Sequence, residues 1–191
     1  MKLPRLALPI ALAIATLVQT AVLAWMVIDR TRLLKTGQEI VLPIRPVDPR
    51  DLFRGQYVRL GYDISNVPLS LIEGPRPSVN AAFYVTIEMQ DNGTWRPVKL
   101  SLQKPGTLDA RQVALKARAY HRFPQGDAQN GSVFVRYGIE SYFVPEGEGP
   151  RLEALARDKK LATLIAVDKA GTAAIKGIII DGKVQYSESL L

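Results

Sequence analysis

A long uncharged stretch near the N-terminus, LALPIALAIATLVQTAVLAWMVI, constrains this chain more than any other feature. Residues 6–28 contain no Asp, Glu, Lys or Arg. As an α-helix this stretch would be roughly 35 Å long, enough to cross a hydrocarbon layer of about 30 Å. Lys2 and Arg5 precede it, and Trp25 lies near its far end, where interfacial indoles are common. We therefore predict that residues 6–28 form a membrane helix in contact with the lipid bilayer.

A cleavable signal peptide is the alternative interpretation, because VLA at residues 22–24 is an acceptable cleavage site. The apolar run of a signal peptide usually has roughly 7–15 residues, so the longer run in this chain favours an uncleaved anchor. We expect the helix to reach about Lys35, with Gly37 as its stop. The predicted division is therefore an anchor with its flanks over 1–35 and a β-rich soluble domain over 36–191. Basic residues flank the helix on both sides, so charge does not set its orientation. The signal-anchor layout favours a domain outside the cytoplasm.

The composition excludes several kinds of chemistry. The chain has no cysteine and one histidine, His121, so disulfides, thiolate catalysis and cysteine zinc sites are excluded. A single histidine also argues against a histidine metal site or a catalytic triad. The net charge is +7, but the basic residues are scattered and form no arginine-rich arm. We expect no nucleic-acid partner, no metal, no cofactor and no catalytic residue.

After the first helix, the hydrophobic pattern mostly has the period of β-strands. Alternating apolar positions are Ile40, Leu42 and Ile44, then Val58, Leu60, Tyr62 and Ile64. DNG at residues 91–93 predicts a hairpin, and Pro97 places the returning strand at a sheet edge. Residues 111–123 fit either a strand or a helix, whereas GPRLEALARDKK predicts a soluble helix. The predicted fold class is mainly β (α+β), with one N-terminal transmembrane helix followed by a single β-rich domain with short helices.

The stretch RPVDPRDLFRG, residues 45–55, is typical of a helical turn between two strands. Pro46 precedes Asp48, which can cap the turn, and Pro49 fits the first helical position. Gly55 then permits a left-handed residue that redirects the chain into the next strand. Paired carboxylates for acid–base catalysis are the sharper alternative, but nothing in the stretch specifies them.

The next residues, GQYVRLGY at 55–62, resemble the signature of the membrane-anchored proteins named for a GDYxxLxY motif. Gly55, Tyr57, Leu60 and Tyr62 match that signature, whereas Gln56 stands where the family usually has an acid. The preceding PVDPRDLFRG, the later YGIESYFVPEG, the single N-terminal helix and the length are also similar to that family. The resemblance therefore covers most of the chain.

The resemblance implies a bacterial protein of the inner (cytoplasmic) membrane, with an N-terminal anchor and an exported domain. Members are often encoded beside a multi-pass membrane protein, which implies such a partner. Their biochemistry is unassigned. Gln56 argues against an essential acid at that position. If the acid of other family members were catalytic, this chain, which lacks it, would be inactive.

Strand alternation assigns roles within the two motif segments. We expect Leu60 and Tyr62 to face the core, while Tyr57 and Arg59 face the other side. The YGIESYFVPEG segment could bind a sugar or a peptide, or be a solvated connection. The candidate interaction surface comprises Tyr57, Arg59, Tyr142 and Glu146. Ordinary strand packing is the alternative for these positions.

The leading hypothesis is a membrane-anchored, extracytoplasmic, non-catalytic domain that binds or stabilises a multi-pass membrane partner. An envelope ligand-binding or sensor module is the second hypothesis. A signal-peptidase-like hydrolase is a weaker third, since it needs a serine within reach of a desolvated lysine. The candidate serines, which lie in no recognisable serine–lysine motif, are Ser65, Ser70, Ser101 and Ser132.

Overall fold

The first helix runs without interruption from the apolar stretch into the folded domain. The computed structural model describes residues 7–45, 57–78, 81–121, 123, 131–143 and 149–187. Helix α1 spans Ala7–Thr36, and the Gly37 N–H donates to the Leu33 carbonyl at 2.9 Å. A Cβ at position 37 would lie 2.6 Å from that carbonyl oxygen, so glycine is needed where the helix ends. The predicted stop at Gly37 is confirmed.

Strands make up most of the remaining structure. They are β1 Gln38–Pro43, β2 Tyr57–Arg59, β3 Asn66–Pro68, β4 Ile72–Glu73, β5 Ala82–Met89, β6 Trp95–Ser101, β7 Gln112–Ala119, β8 Ser132–Arg136, β9 Ser141–Phe143, β10 Leu161–Val167, β11 Ala173–Ile180 and β12 Lys183–Ser187. A second helix, α2, spans Gly149–Arg157. The predicted fold class, one long apolar helix followed by a β-rich domain with short helices, is confirmed.

Three sheets surround a common core. The order is β1-β10-β11-β12 in one sheet, β3-β8-β7-β5-β6-β4 in a second, and β2 pairs with β9 in a third. Neighbouring strands are antiparallel except β4 and β6. One cluster of buried apolar side chains draws members from all three sheets and from α2. The short β2–β9 sheet is therefore held to the larger sheets through shared core packing.

The strand predictions are mostly confirmed. Ile40, Leu42 and Ile44 are buried, and the hairpin at 91–93 joins β5 to β6. Pro97 lies at an edge, because β4 pairs with β6 only at Leu100 and Ser101. The ambiguous residues after position 111 form strand β7.

The strand predicted through Ile64 is too long. It ends at Arg59, a single bridge joins Arg45 to Gly61, and a 3-10 turn spans Asp63–Ser65. The Ser65 N–H donates to the Tyr62 carbonyl at 3.1 Å, which closes this turn. An ion pair between Arg45 and Asp63 lies beside the bridge. Local hydrogen bonds therefore replace the strand pairing that simple alternation predicts.

The last turn of α1 is packed onto the first sheet. Leu33 and Leu34 form a buried cluster with Ala166 of β10 and Ala174 of β11. By contrast, none of the most apolar 18-residue stretch of the helix is buried in the protein, and that stretch has a mean hydropathy of 2.1. The helix is long and apolar enough to cross a membrane, and a signal sequence can have the same length and composition.

Candidate functional site

The two motif segments, far apart in sequence, lie side by side. In the antiparallel β2–β9 pair, Tyr57 is opposite Phe143, Val58 opposite Tyr142, and Arg59 opposite Ser141. The pairing continues past the strands, because the Leu60 N–H donates to the Glu140 carbonyl at 2.9 Å. We call the two segments, residues 57–65 and 137–143, the motif junction.

Two buried tyrosines link the segments reciprocally. The Tyr62 hydroxyl donates to the Ile139 carbonyl at 2.9 Å, and the Tyr137 hydroxyl donates to the Ile64 carbonyl at 2.6 Å. Tyr62 is 4% exposed and Tyr137 is 6% exposed. A buried phenol needs a hydrogen-bond partner, and here each one satisfies a backbone carbonyl of the opposite segment. The exchange therefore joins the two segments beyond the ends of their short strand pairing.

Glu140 supports this exchange from the second segment. Its Oε1 accepts the Tyr137 N–H at 2.5 Å, and its Oε2 accepts the Gly138 N–H at 3.0 Å. One carboxylate therefore satisfies two backbone donors of the turn that carries Tyr137. Sequence reasoning did not select Tyr137 or Glu140 as site residues. The available signal was the spacing of YGIE, where a carboxylate can reach back to the amides before it.

The surroundings of both tyrosines keep them neutral. Burial raises the pKa of Tyr62 well above its ordinary value of 10.0, the nearby Thr163 hydroxyl opposes this change, and the Glu140 charge adds to it. Burial, followed by the Glu140 charge, also raises the pKa of Tyr137. A neutral, buried phenol that already donates to a carbonyl is poorly suited to proton transfer or nucleophilic attack. These tyrosines therefore contribute to structure.

The outer face of the β2–β9 pair is exposed. Arg59 and Ser141 are opposite each other on this face, and Phe143, two residues further on, is 78% exposed. The core face instead carries Tyr142, which is buried. Tyr142 therefore does not share a surface with Arg59, because side chains alternate along a strand. The prediction that Tyr142 belongs to an exposed surface is corrected on this point.

The other predicted site residues divide by position. Leu60 and Tyr62 are buried, as alternation predicted, and Arg59 is exposed. Tyr57 has a described backbone but no described side chain. Five predicted positions lie outside the described residues: Pro46, Asp48, Pro49, Gly55 and Glu146.

The candidate serines are not assembled into a nucleophilic site among the described residues. Ser65 is 1% exposed, which closes its hydroxyl to a substrate. The Ser101 hydroxyl donates to the Gln103 carbonyl at 2.8 Å, and Lys99 on the same strand pairs with Glu73 at 2.6 Å. Ser70 and Ser132 are exposed. Within the same described ranges, no three His, Asp or Glu side chains are grouped so that they could hold a metal ion.

Comparison with known families identifies the class to which this architecture belongs. The model of the GDYXXLXY protein family matches residues 19–178, which include both segments of the motif junction. The chain therefore belongs to the GDYXXLXY protein family, as its resemblance to the signature predicted. Comparisons with curated proteins and with solved structures found no match.

Proposed function

We propose that this chain is a single-pass membrane protein whose non-catalytic domain lies outside the cytoplasm and binds a multi-pass membrane partner. The observation that carries the proposal is the joint between α1 and the first sheet. The apolar length of α1 is left uncovered by the domain, while Leu33 and Leu34 fix its last turn to Ala166 and Ala174. A domain attached in this way has a restricted orientation above the bilayer.

A fixed orientation favours binding to another membrane protein. Gly37 joins α1 to β1 with no intervening linker, so little chain entropy opposes repeated contact with a partner in the same membrane. Confinement to one membrane also raises the effective concentration of the two proteins. A modest contact surface is then enough to maintain a complex.

The outer face of the β2–β9 pair is the proposed contact surface. Arg59 and Phe143 provide a cation and an aromatic ring, two residue types enriched at protein interfaces. Both lie on a short sheet whose other face carries the buried Tyr142, and the hydrogen bonds of Tyr62 and Tyr137 join the same two segments. The partner would therefore meet a preorganised surface.

Three measurements test the proposal. Intact-mass analysis of membrane-extracted protein should give the uncleaved chain, and a mature N-terminus at Trp25 would contradict the anchor. Because the chain has no cysteine, a single Ser70→Cys variant can be labelled in whole cells with a membrane-impermeant maleimide. Labelling is expected for an extracytoplasmic domain, and protection until the membrane is opened would contradict that side.

Co-purification tests the partner surface. Arg59→Ala and Tyr57→Ala should each lower recovery of the multi-pass partner without lowering the melting temperature. Arg96→Ala, which removes another exposed strand arginine, is the matched control and should leave recovery unchanged. Normal recovery with both test variants would remove the β2–β9 face from the proposal.

A further inference from the structure

A second exposed face combines cations with aromatic rings, on strands β7 and β8. Arg118 is opposite Arg136 in the β7–β8 register, and the Tyr120 N–H just beyond β7 donates to the Phe134 carbonyl at 2.9 Å. Tyr120 is 48% exposed and Phe134 is 47% exposed. Lys116 is exposed on the same side of β7. We call Lys116, Arg118, Tyr120, Phe134 and Arg136 the basic face.

Three side chains of the basic face, those of Tyr120, Phe134 and Arg136, contact one another. The Arg136 guanidinium lies 4.6 Å from the centre of the Tyr120 ring, a cation–π contact. The Tyr120 and Phe134 rings meet edge to face with centroids 6.0 Å apart. These contacts hold one guanidinium and two rings in a defined arrangement, which lowers the entropy lost when a ligand binds.

The charge of the basic face is not neutralised within the described part of the chain. No carboxylate there forms an ion pair with Arg118 or Arg136, although other surface cations, such as Arg111 and Lys176, do have acidic partners. The residues in register on the flanking strands are uncharged: Ala82, Tyr84 and Asn66. Like charges directly opposite on a sheet are unfavourable, so this arrangement is complementary to an anion.

The basic face begins at the end of the domain where α1 enters. β10 ends at Val167, which is opposite Gln38, the first residue after the helix stop. The turn after Val167 reaches β7, where the Lys116 N–H donates to the Gly171 carbonyl at 2.7 Å. A Cβ at position 171 would lie 2.9 Å from the Ala114 carbonyl oxygen, so the turn and β7 are in close contact.

The length of α1 places this end of the domain close to the lipid headgroups. From Asp29 to Thr36 the helix rises roughly 10 Å, and a headgroup layer takes up roughly 5–7 Å of that height. The remaining gap is shorter than the Debye length of about 8 Å at physiological ionic strength. The turn itself carries exposed Lys169, and Arg118 is two residues beyond Lys116 along β7.

We propose that the basic face binds the phosphate groups of anionic lipids in the membrane that holds α1. This inference rests on the anchor in the proposed function. Arg118 and Arg136 supply paired guanidinium groups for phosphate oxygens, and Tyr120 and Phe134 supply rings of the kind found at the membrane interface. The domain would thus contact the bilayer surface through the basic face, which would hold the β2–β9 face in one orientation.

Full-length protein in lipid nanodiscs tests this proposal. A cysteine introduced as Ser132→Cys, on an exposed position of β8, carries an environment-sensitive fluorophore, and the lipid carries a nitroxide on its headgroup. We expect at least about twofold more quenching in discs containing phosphatidylglycerol than in phosphatidylcholine discs, and less of it in about 1 M salt. Arg118→Gln and Arg136→Gln should each weaken the contact by about fivefold.

The control variants are Arg96→Gln and Arg157→Gln, each of which removes one positive charge from an exposed position elsewhere. Both should quench like the parent protein. Equal quenching in both lipids, or equal loss in the control, would overturn lipid binding while leaving the anchor intact. A chain that does not elute with the discs would overturn the anchor and this inference together. If the two arginine substitutions reduce partner recovery but not quenching, an acidic protein surface is the ligand instead.

Discussion

The aromatic residues of the motif junction and those of the basic face differ in what surrounds them. Tyr62 and Tyr137 are almost fully buried, and each hydroxyl donates to a backbone carbonyl. Tyr120 and Phe134 are about half exposed, and Arg136 lies over the Tyr120 ring. The buried pair stabilises the fold, whereas the rings of the half-exposed pair are accessible to a ligand. Leu60 and Tyr62, two of the residues for which the family is named, are therefore poorly available for binding.

This contrast explains why the family signature does not reveal a reaction. Within the motif, Leu60 and Tyr62 are core residues, and the Tyr62 hydroxyl donates a hydrogen bond to the Ile139 carbonyl. The signature thus marks one half of a structural exchange, whose other half is Tyr137 in the second segment. Binding surfaces must then be sought outside these buried positions.

The largest effect is expected from Leu60→Ala. Leu60 is buried at the motif junction, so its truncation should lower the free energy of unfolding by about 2–5 kcal/mol. The adjacent Arg59→Ala is the control and should change it by less than about 0.5 kcal/mol. Urea denaturation of the detergent-solubilised chain measures both. Similar losses for the two variants would mean that both faces of β2 are core.

The tyrosine exchange should show the next largest effect. Tyr62→Phe and Tyr137→Phe each leave a buried carbonyl without its donor, which should cost about 1–3 kcal/mol. Tyr120→Phe removes a hydroxyl from an exposed ring and should cost almost nothing. The double variant reports whether the two bonds reinforce each other. Equal losses of stability in all three single variants would contradict the distinction between buried and exposed tyrosines.

Alkaline pH provides a third measurement of the same difference. Both buried tyrosines have pKa values raised above the ordinary 10.0, so above about pH 10 the unfolded chain loses protons that the folded chain keeps. Stability should be unaffected by these groups below pH 10 and should fall above it, by up to about 1.4 kcal/mol per pH unit for each tyrosine. Tyr62→Phe should reduce that slope, and Tyr120→Phe should not. An unchanged slope for Tyr62→Phe would show that its phenol is not buried in solution.

Much of this architecture could be predicted from the sequence, for a physical reason. Residues 6–28 have no charge over a membrane-spanning length, and Ile40, Leu42 and Ile44 alternate as one buried face requires. Both patterns depend only on neighbours along the chain. The long apolar helix and the β-rich fold class follow from such local signals.

The motif junction could be predicted only in part. Alternation placed Leu60 and Tyr62 in the core, but the partner of Tyr62 is a carbonyl in a segment more than seventy residues away. A tyrosine–glutamate segment resembles a binding loop and so predicts a surface position for Tyr142, whereas alternation along β9 buries it between the exposed Ser141 and Phe143. The basic face was missed for the same reason, since Arg118 and Arg136 become neighbours only when β7 and β8 pair.

The smallest effect should also be the most informative about the basic face. Two opposed arginines repel each other, so Arg118→Gln should raise the free energy of unfolding by about 0.2–1 kcal/mol at low salt. Arg136→Gln relieves the same repulsion but gives up the cation–π contact with Tyr120, about 0.5–1 kcal/mol, so its net change should be near zero. Salt should remove the gain from Arg118→Gln, because exposed charges are screened.

Arg111→Gln is the matched control, because Arg111 lies 2.9 Å from Asp91 in an exposed ion pair. Its loss should be slightly destabilising, by up to about 1 kcal/mol, the opposite sign to Arg118→Gln. Urea titrations of the three variants at two salt concentrations distinguish these signs. A gain in stability with Arg118→Gln would mean that Arg118 lowers the free energy of unfolding, as expected for a residue whose role is binding. A loss equal to that of Arg111→Gln would instead make Arg118 an ordinary stabilising surface charge.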